Sequence, residues 1–208
     1  MIINSIKPIN DKYMVVYFDD GFLFKAKNSE INRLGLQVDM DVDDDLYERI
    51  YNEFGIRRCR FKAVDILSKS DKTVKELSRK LLDSFFAQSV VEHVIKQLME
   101  LHYIDDERVA SNYIELNMSK KSRKAIKLKL TEKGVDSQLI DNLLDELYDG
   151  DSELNIARKY LRKYSDITFF DDTKNRKKVY AALYNKGIGV KTITQAIEEK
   201  IRKLEETF

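Results

Sequence analysis

Lys129-Leu130-Thr131-Glu132-Lys133-Gly134-Val135, followed by apolar residues at Leu139, Ile140, Leu143, Leu144 and Leu147, decides the fold because the chain repeats it. Lys80 and Leu81 lead in the same way to Phe86, Val90, Val91, Val94, Ile95 and Leu98, 49 positions earlier. Leu183, Gly187 and Ile188 lead to Ile193, Ala196 and Ile197, 53 positions later. Self-similarity at such a period marks an array of supersecondary units, none of which can bury its apolar face alone. The pattern predicts a mainly α protein of tandem three-helix repeats in an elongated, curved array. Proteins of this kind bind along a surface instead of reacting in a cleft.

The helices follow from apolar period and caps. The first repeat reads as 58–68, 73–83 and 87–101, the second as 106–118, 122–133 and 136–148, and the third as 151–164, 172–186 and 190–206. Ser70-Asp71-Lys72-Thr73 supplies side-chain oxygens before the second helix of the first repeat, Gly134 and Asp136 give a C-terminal glycine followed by an N-cap aspartate, and Asp105 and Asp106 open the second repeat. The single proline, Pro8, leaves the helical body without breakers. In front of it, Lys12–Phe18 and Phe22–Ala26 are β-formers around Asp19-Asp20-Gly21, a hairpin with glycine for the turn. Short helices are expected at 29–34, with Asn28 as cap and Gly35 as terminator, and at 43–54. A lone hairpin is marginal in water, so it must pack on something, and the helix at 43–54 and the first repeat are the expected partners. The expected division is 1–54 for the head and 55–104, 105–149 and 150–208 for the repeats.

Composition narrows the function. An apolar fraction of 43% suffices for a core, and 35% charged residues suit solvated helix faces. One cysteine, Cys59, rules out an internal disulfide and fits a reducing cytoplasm. The N-terminus lacks a signal-peptide pattern, and the longest apolar run falls far short of the ~20 residues of a membrane helix. The net charge of +1 conceals an acidic head and a basic body, which favours a negatively charged partner for the body.

Ala63–Leu67, Glu76-Leu77, Lys80-Leu81, Leu98–Ile104, Asp105-Asp106-Glu107-Arg108-Val109-Ala110 with Tyr113, and Lys129–Val135 with the Ile140–Leu147 stripe together resemble the bacterial RecX regulatory family. The resemblance covers about residues 57–200; the head is similar to the extension of members from Gram-positive bacteria. Phe85 and His102 stand where the family usually has glycine, and Val109 where it usually has phenylalanine. The resemblance implies a non-enzymatic, monomeric cytoplasmic protein without cofactor. It would lie along the RecA recombinase–single-stranded DNA filament, modulating ATP hydrolysis, extension and strand exchange in DNA repair, recombination and the SOS response.

The residues themselves offer a basic track: Lys120, Lys121, Arg123, Lys124 and Lys127, then Arg158, Lys159, Arg162 and Lys163, then Arg176, Lys177 and Lys178. No acidic residue interrupts Lys120 to Thr131, which favours binding to phosphate; the plainer alternative is a solvated helix face. Eleven tyrosines are read mainly as packing, although some could stack on bases. Asp105-Asp106-Glu107 and Asp171-Asp172 fall at helix starts and read as caps, not as metal sites. His93 and His102 have no partners at triad spacing. Gly187-Ile188-Gly189-Val190-Lys191-Thr192 is a turn, not a phosphate loop. Cys59 is a passive residue unless exposed, in which case Arg57, Arg58 and Arg60 would lower its pKa. The competing class is a helix-turn-helix protein that reads duplex sequence, against which stands the acidic third helix of repeat two.

Overall fold

A computed structural model describes residues 1–206. They are mainly helical, with a small antiparallel sheet at the N-terminus. The chain divides into two compact units, Met1–Asp106 and the remainder from Glu107.

The first unit opens with β1 (Ile3–Pro8), β2 (Tyr13–Phe18) and β3 (Leu23–Lys27), in that spatial order. The hairpin expected from Asp19-Asp20-Gly21 is β2–β3: Gly21 has φ +86° and the Asp20 carboxylate accepts the Phe22 amide at 2.9 Å. β1 is an additional strand that the hairpin reading left out. Asn10 turns it back, accepting from the Lys12 and Tyr13 amides at 3.0 Å. Helix α1 (Asn28–Leu34) ends at Gly35, φ +66°, as its sequence implies. Its cap differs from expectation: Asn28 is the first helical residue and donates to the Asp11 carbonyl, while the Lys27 amide is satisfied by Glu30 at 2.8 Å.

Helix α2 (Asp44–Ile50) starts behind Asp43, which accepts the Leu46 amide at 2.8 Å. It runs without a break through a π-helical stretch, Tyr51–Arg57, into α3 (Arg58–Leu67). The apolar residues explain the π turn. Leu46, Ile50 and Phe54 step by four, the next inward residue is Cys59, a step of five, and Ala63 restores the step of four. A wider turn keeps all of them on the core. Residues 54 and 55 therefore lie within one continuous helix. Gly55 sits inside it where a Cβ would come 3.2 Å from Val90 and 3.3 Å from Phe22, so its lack of a side chain lets sheet and helix approach. α4 (Val74–Leu82) and α5 (Gln88–Glu100) complete the unit, and sheet and helices share one apolar core. Cys59 is fully buried in it, and burial pushes its thiol up to about 12, the opposite of an activated cysteine.

The second unit holds two further apolar clusters. One joins α6 (Asp106–Asn117, its first residue in the first unit), α7 (Arg123–Lys133) and α8 (Ser137–Leu147). The other joins α9 (Ser152–Leu161), the short α10 (Thr168–Asp171), α11 (Thr173–Asn185) and α12 (Val190–Glu205).

The internal repeat is visible in backbone geometry. Phe85, Gly134 and Gly187 occupy the same left-handed conformation, φ +65°, +88° and +81°. After each, an amide returns to the carbonyl of a fully buried leucine five residues back: Phe86 to Leu81 at 3.4 Å, Val135 to Leu130 at 3.1 Å, Ile188 to Leu183 at 3.3 Å. These are helix C-caps that turn the chain into the next helix. A second spacing, 47 residues, relates the first helices through Ala63, Ala110 and Ala157, each 0% exposed.

Three measurements check this geometry. Phe85 and His102 (φ +56°) hold a conformation that costs a non-glycine residue about 1–2 kcal/mol. His102→Gly should raise stability by about 1 kcal/mol after the added chain entropy of glycine. Gly187→Ala should lower it by about 2 kcal/mol or more, since its Cβ would also meet Ser122 Oγ at 2.6 Å; denaturant titration reads both. Arg58 grips Glu30 at 2.7 Å and lies 4.0 Å from the Phe54 ring. Burial works to raise the Glu30 pKa, but the Arg58 and Lys27 hydrogen bonds outweigh it and hold it below the ordinary value. A carboxyl depressed in the folded state stabilises above the unfolded pKa, and loses that contribution as pH falls through the folded one. The stability gap between the protein and Glu30→Gln should therefore be about 1 kcal/mol at neutral pH and vanish in acid well below about pH 4.

Candidate nucleic-acid interface

Helices α7 and α9 are tied together at their N-termini. Ser122, N-cap of α7, is 1% exposed; its hydroxyl accepts the Ala125 amide and donates to the Lys186 carbonyl at 2.7 Å. Glu153, in the first turn of α9, accepts the Arg123 amide at 3.3 Å and, through its other oxygen, the Gly189 amide at 3.2 Å. One carboxylate thus serves the starts of α7 and α12, where helix dipoles favour negative charge. Asp106 performs the same task in the first unit, accepting the Val74 amide at the start of α4 at 2.9 Å. It is therefore a cap, but for another helix; burial pushes its pKa up against the pull of that amide. Asp172 caps its own helix through the Lys174 amide.

The basic track divides into committed and uncommitted cations. Arg123 is anchored to the Leu144 carbonyl at 3.0 Å and to Asp145 at 2.5 Å, and Lys127 holds Asp141 at 2.6 Å. The acidic face of α8 neutralises these two. Lys121 reaches the Tyr113 hydroxyl at 2.5 Å and lies over its ring. Arg158 forms a two-point pair with Glu199, Nε at 2.8 Å and Nη2 at 3.0 Å, which lowers the carboxylate's pKa and raises that of the guanidinium. Lys163 sits 4.1 Å from the Tyr160 ring and 4.9 Å from that of Tyr164. Arg176 donates to the Phe170 carbonyl. Among the described residues no side-chain partner engages Lys120, Lys124, Lys159, Arg162, Lys177 or Lys178, and all six are exposed.

Two grooves flank α9 and share Arg158 and Arg162. One, of about 460 Å³, runs past Met118, Ser119, Asp149, Asn155 and Lys159. The other, of about 200 Å³, lies between α9 and α12 and adds Lys200 and Lys203. These last two lysines were missing from the sequence-derived track. Their signal was their placement one turn apart on the helix that carries Ala196 and Glu199, but only the packing of α12 on α9 brings them beside Arg162. On α11, Lys177, Tyr180 and Tyr184 follow at helical spacing; the two rings stack at 6.4 Å, and Tyr184 is 56% exposed. Tyr160 and Tyr164 instead pack around Phe169, Phe170 and Lys163. The set can hold a polyanion by separate charges along α9, α11 and α12, with an exposed ring available to a base. Among the described residues, no helix is long and apolar enough to cross a membrane.

A family profile described as "RecX, second three-helix domain" matches residues 105–144. Similar proteins include the regulatory protein RecX of Clostridium perfringens (strain 13 / Type A), 31% identical with 88% of this chain and 87% of that one covered. The regulatory protein RecX of Clostridium acetobutylicum is 28% identical, covering 88% of each. Among solved structures, RecX from Lactobacillus salivarius superimposes with a TM-score of 0.63 at 26% identity, over 70% of this chain and 96% of that one. A crystal structure of a regulatory protein RecX at 20% identity, TM-score 0.65, matches the fold over 95% of this chain and 98% of its own. The chain belongs to the RecX family of regulatory proteins.

Proposed function

We propose that this protein restrains a RecA–single-stranded DNA filament by binding alone, slowing its ATP hydrolysis, extension and strand exchange. On this reading it is a monomer without cofactor, built as an acidic head at 1–54 and three-helix units at 55–104, 105–149 and 150–208, whose last two units track the filament groove. The family supports the regulatory role. The observation that carries the nucleic-acid side of this reading is the pair of grooves flanking α9. There Lys159, Arg162 and Lys200 form no ion pair among the described residues; Asp149 lines one groove, and Glu199, which lines the other, is occupied by Arg158. Duplex reading by a helix-turn-helix is disfavoured by α8, whose Asp141 and Asp145 cancel the charges of Lys127 and Arg123.

The test is RecA ATPase stimulated by single-stranded DNA. Inhibition is expected at well under one regulator per recombinase protomer, and no inhibition at any ratio sinks the reading. Charge reversal at Lys159 and Arg162 should weaken binding to a poly-dT oligonucleotide at least ten-fold. It should also reduce the log–log salt slope by roughly 1.4, since each phosphate no longer neutralised removes about 0.7. The pair Arg123→Ala and Lys127→Ala, already neutralised by α8, should change that slope far less.

A further inference from the structure

One face of the first unit is apolar without a structural reason. Phe61 is 66% exposed and Val64 46%, side by side on α3. With Ile56, Asn52, Arg57 and Arg60 they line a groove of about 530 Å³. The internal repeat supplies a control. Aligning Ala63, Ala110 and Ala157 places Arg108 and Asn155 at the position of Phe61, and Ser111 and Arg158 at that of Val64. The architecture therefore accepts polar side chains at both sites, and exposing a phenylalanine there gains the fold nothing. The π turn just before it sets the direction of this face, because the wide turn at Tyr51–Arg57 shifts the helix phase between α2 and α3.

The rim selects the partner. Arg57 lies 5.8 Å from the Phe61 ring and Arg60 donates to Gln97, so two guanidinium groups flank the apolar pair. Asp65, the carboxylate nearest in sequence, is paired with Lys69 at 2.8 Å and Lys62 at 3.9 Å. In the N-terminal direction the same helix lines a second groove with Asp45, Glu48 and Glu53 among Arg49 and Arg57, so uncompensated positive charge is confined to the rim of the apolar pair and gives no continuous track for a phosphate backbone. We propose that the Arg57–Arg60–Phe61–Val64 face docks a protein segment presenting an apolar side chain flanked by carboxylates. Resting on the functional reading above, it assigns this surface to the recombinase protomers and leaves DNA to α9–α12.

Phe61→Ser with Val64→Ser removes the anchor, and Arg57→Glu with Arg60→Glu inverts the rim; both changes are on the surface, and unchanged thermal unfolding verifies the fold. Affinity is measured for RecA filaments preassembled on poly-dT with a non-hydrolysable nucleotide, and for bare poly-dT. Each double variant should bind filament at least ten-fold more weakly, about 1.4 kcal/mol, with bare-DNA affinity within about two-fold. Filament affinity that survives both changes overturns this inference alone. Equal losses on filament and bare DNA overturn it in favour of a nucleic-acid face, and a dimer in sedimentation that Phe61→Ser dissociates overturns it in favour of a second copy. Failure of the unmodified protein to bind filament at all overturns the functional reading and this inference together.

Discussion

A left-handed residue four positions beyond a buried leucine is the constraint on which each three-helix unit rests. Leu81, Leu130 and Leu183 fill the cores, and their carbonyls receive the amide that reverses the chain. Without that reversal the third helix could not lay its apolar stripe on the second, and helices of 9–16 residues have little stability alone. Two of the three positions use glycine and one uses Phe85, whose ring stays at the surface. The first unit bears that strain with help from a shared core, since the sheet and the α2–α3 helix pack on the same side chains as α4 and α5.

Helix starts are managed as carefully as helix ends. Asp106 and Glu153, 47 residues apart, each reach from the first turn of a helix to the first amide of an earlier one. The corresponding position in the first repeat is Cys59, where no earlier helix offers an amide and the neighbour is the apolar sheet core. One position thus changes from carboxylate to thiol according to what it faces, because a buried carboxylate without donors would be costly. The same economy governs the cations. Arg123, Lys127 and Arg158 are held in internal pairs with α8 and Glu199, whereas among the described residues Lys120, Lys124, Lys159, Arg162, Lys177 and Lys178 have no side-chain partner.

Two kinds of surface chemistry are therefore separable by residue. Mainly charged and polar side chains line the grooves of α9, and exposed apolar anchors with a basic rim mark α3. A polymeric target made of both protein and nucleic acid offers partners for both.

Much was legible in the residues because it depends on local chemistry. Helix phase, the cap within Ser70–Thr73 and those at Asp136 and Asp172, the turns at Gly35 and Gly134, and the β2–β3 hairpin follow from side-chain type and spacing, which act within one or two turns. What depended on distance was not legible: β1, whose pairing is with a strand beyond a turn set by Asn10, and the continuity of α2 and α3, hidden by the five-residue step from Phe54 to Cys59. Sequence could name the basic residues of the track, but not which of them α8 and Glu199 would neutralise, nor that Lys200 and Lys203 would join Arg162. Pairing across helices is decided by how their faces meet, and that exists only after the cores have formed.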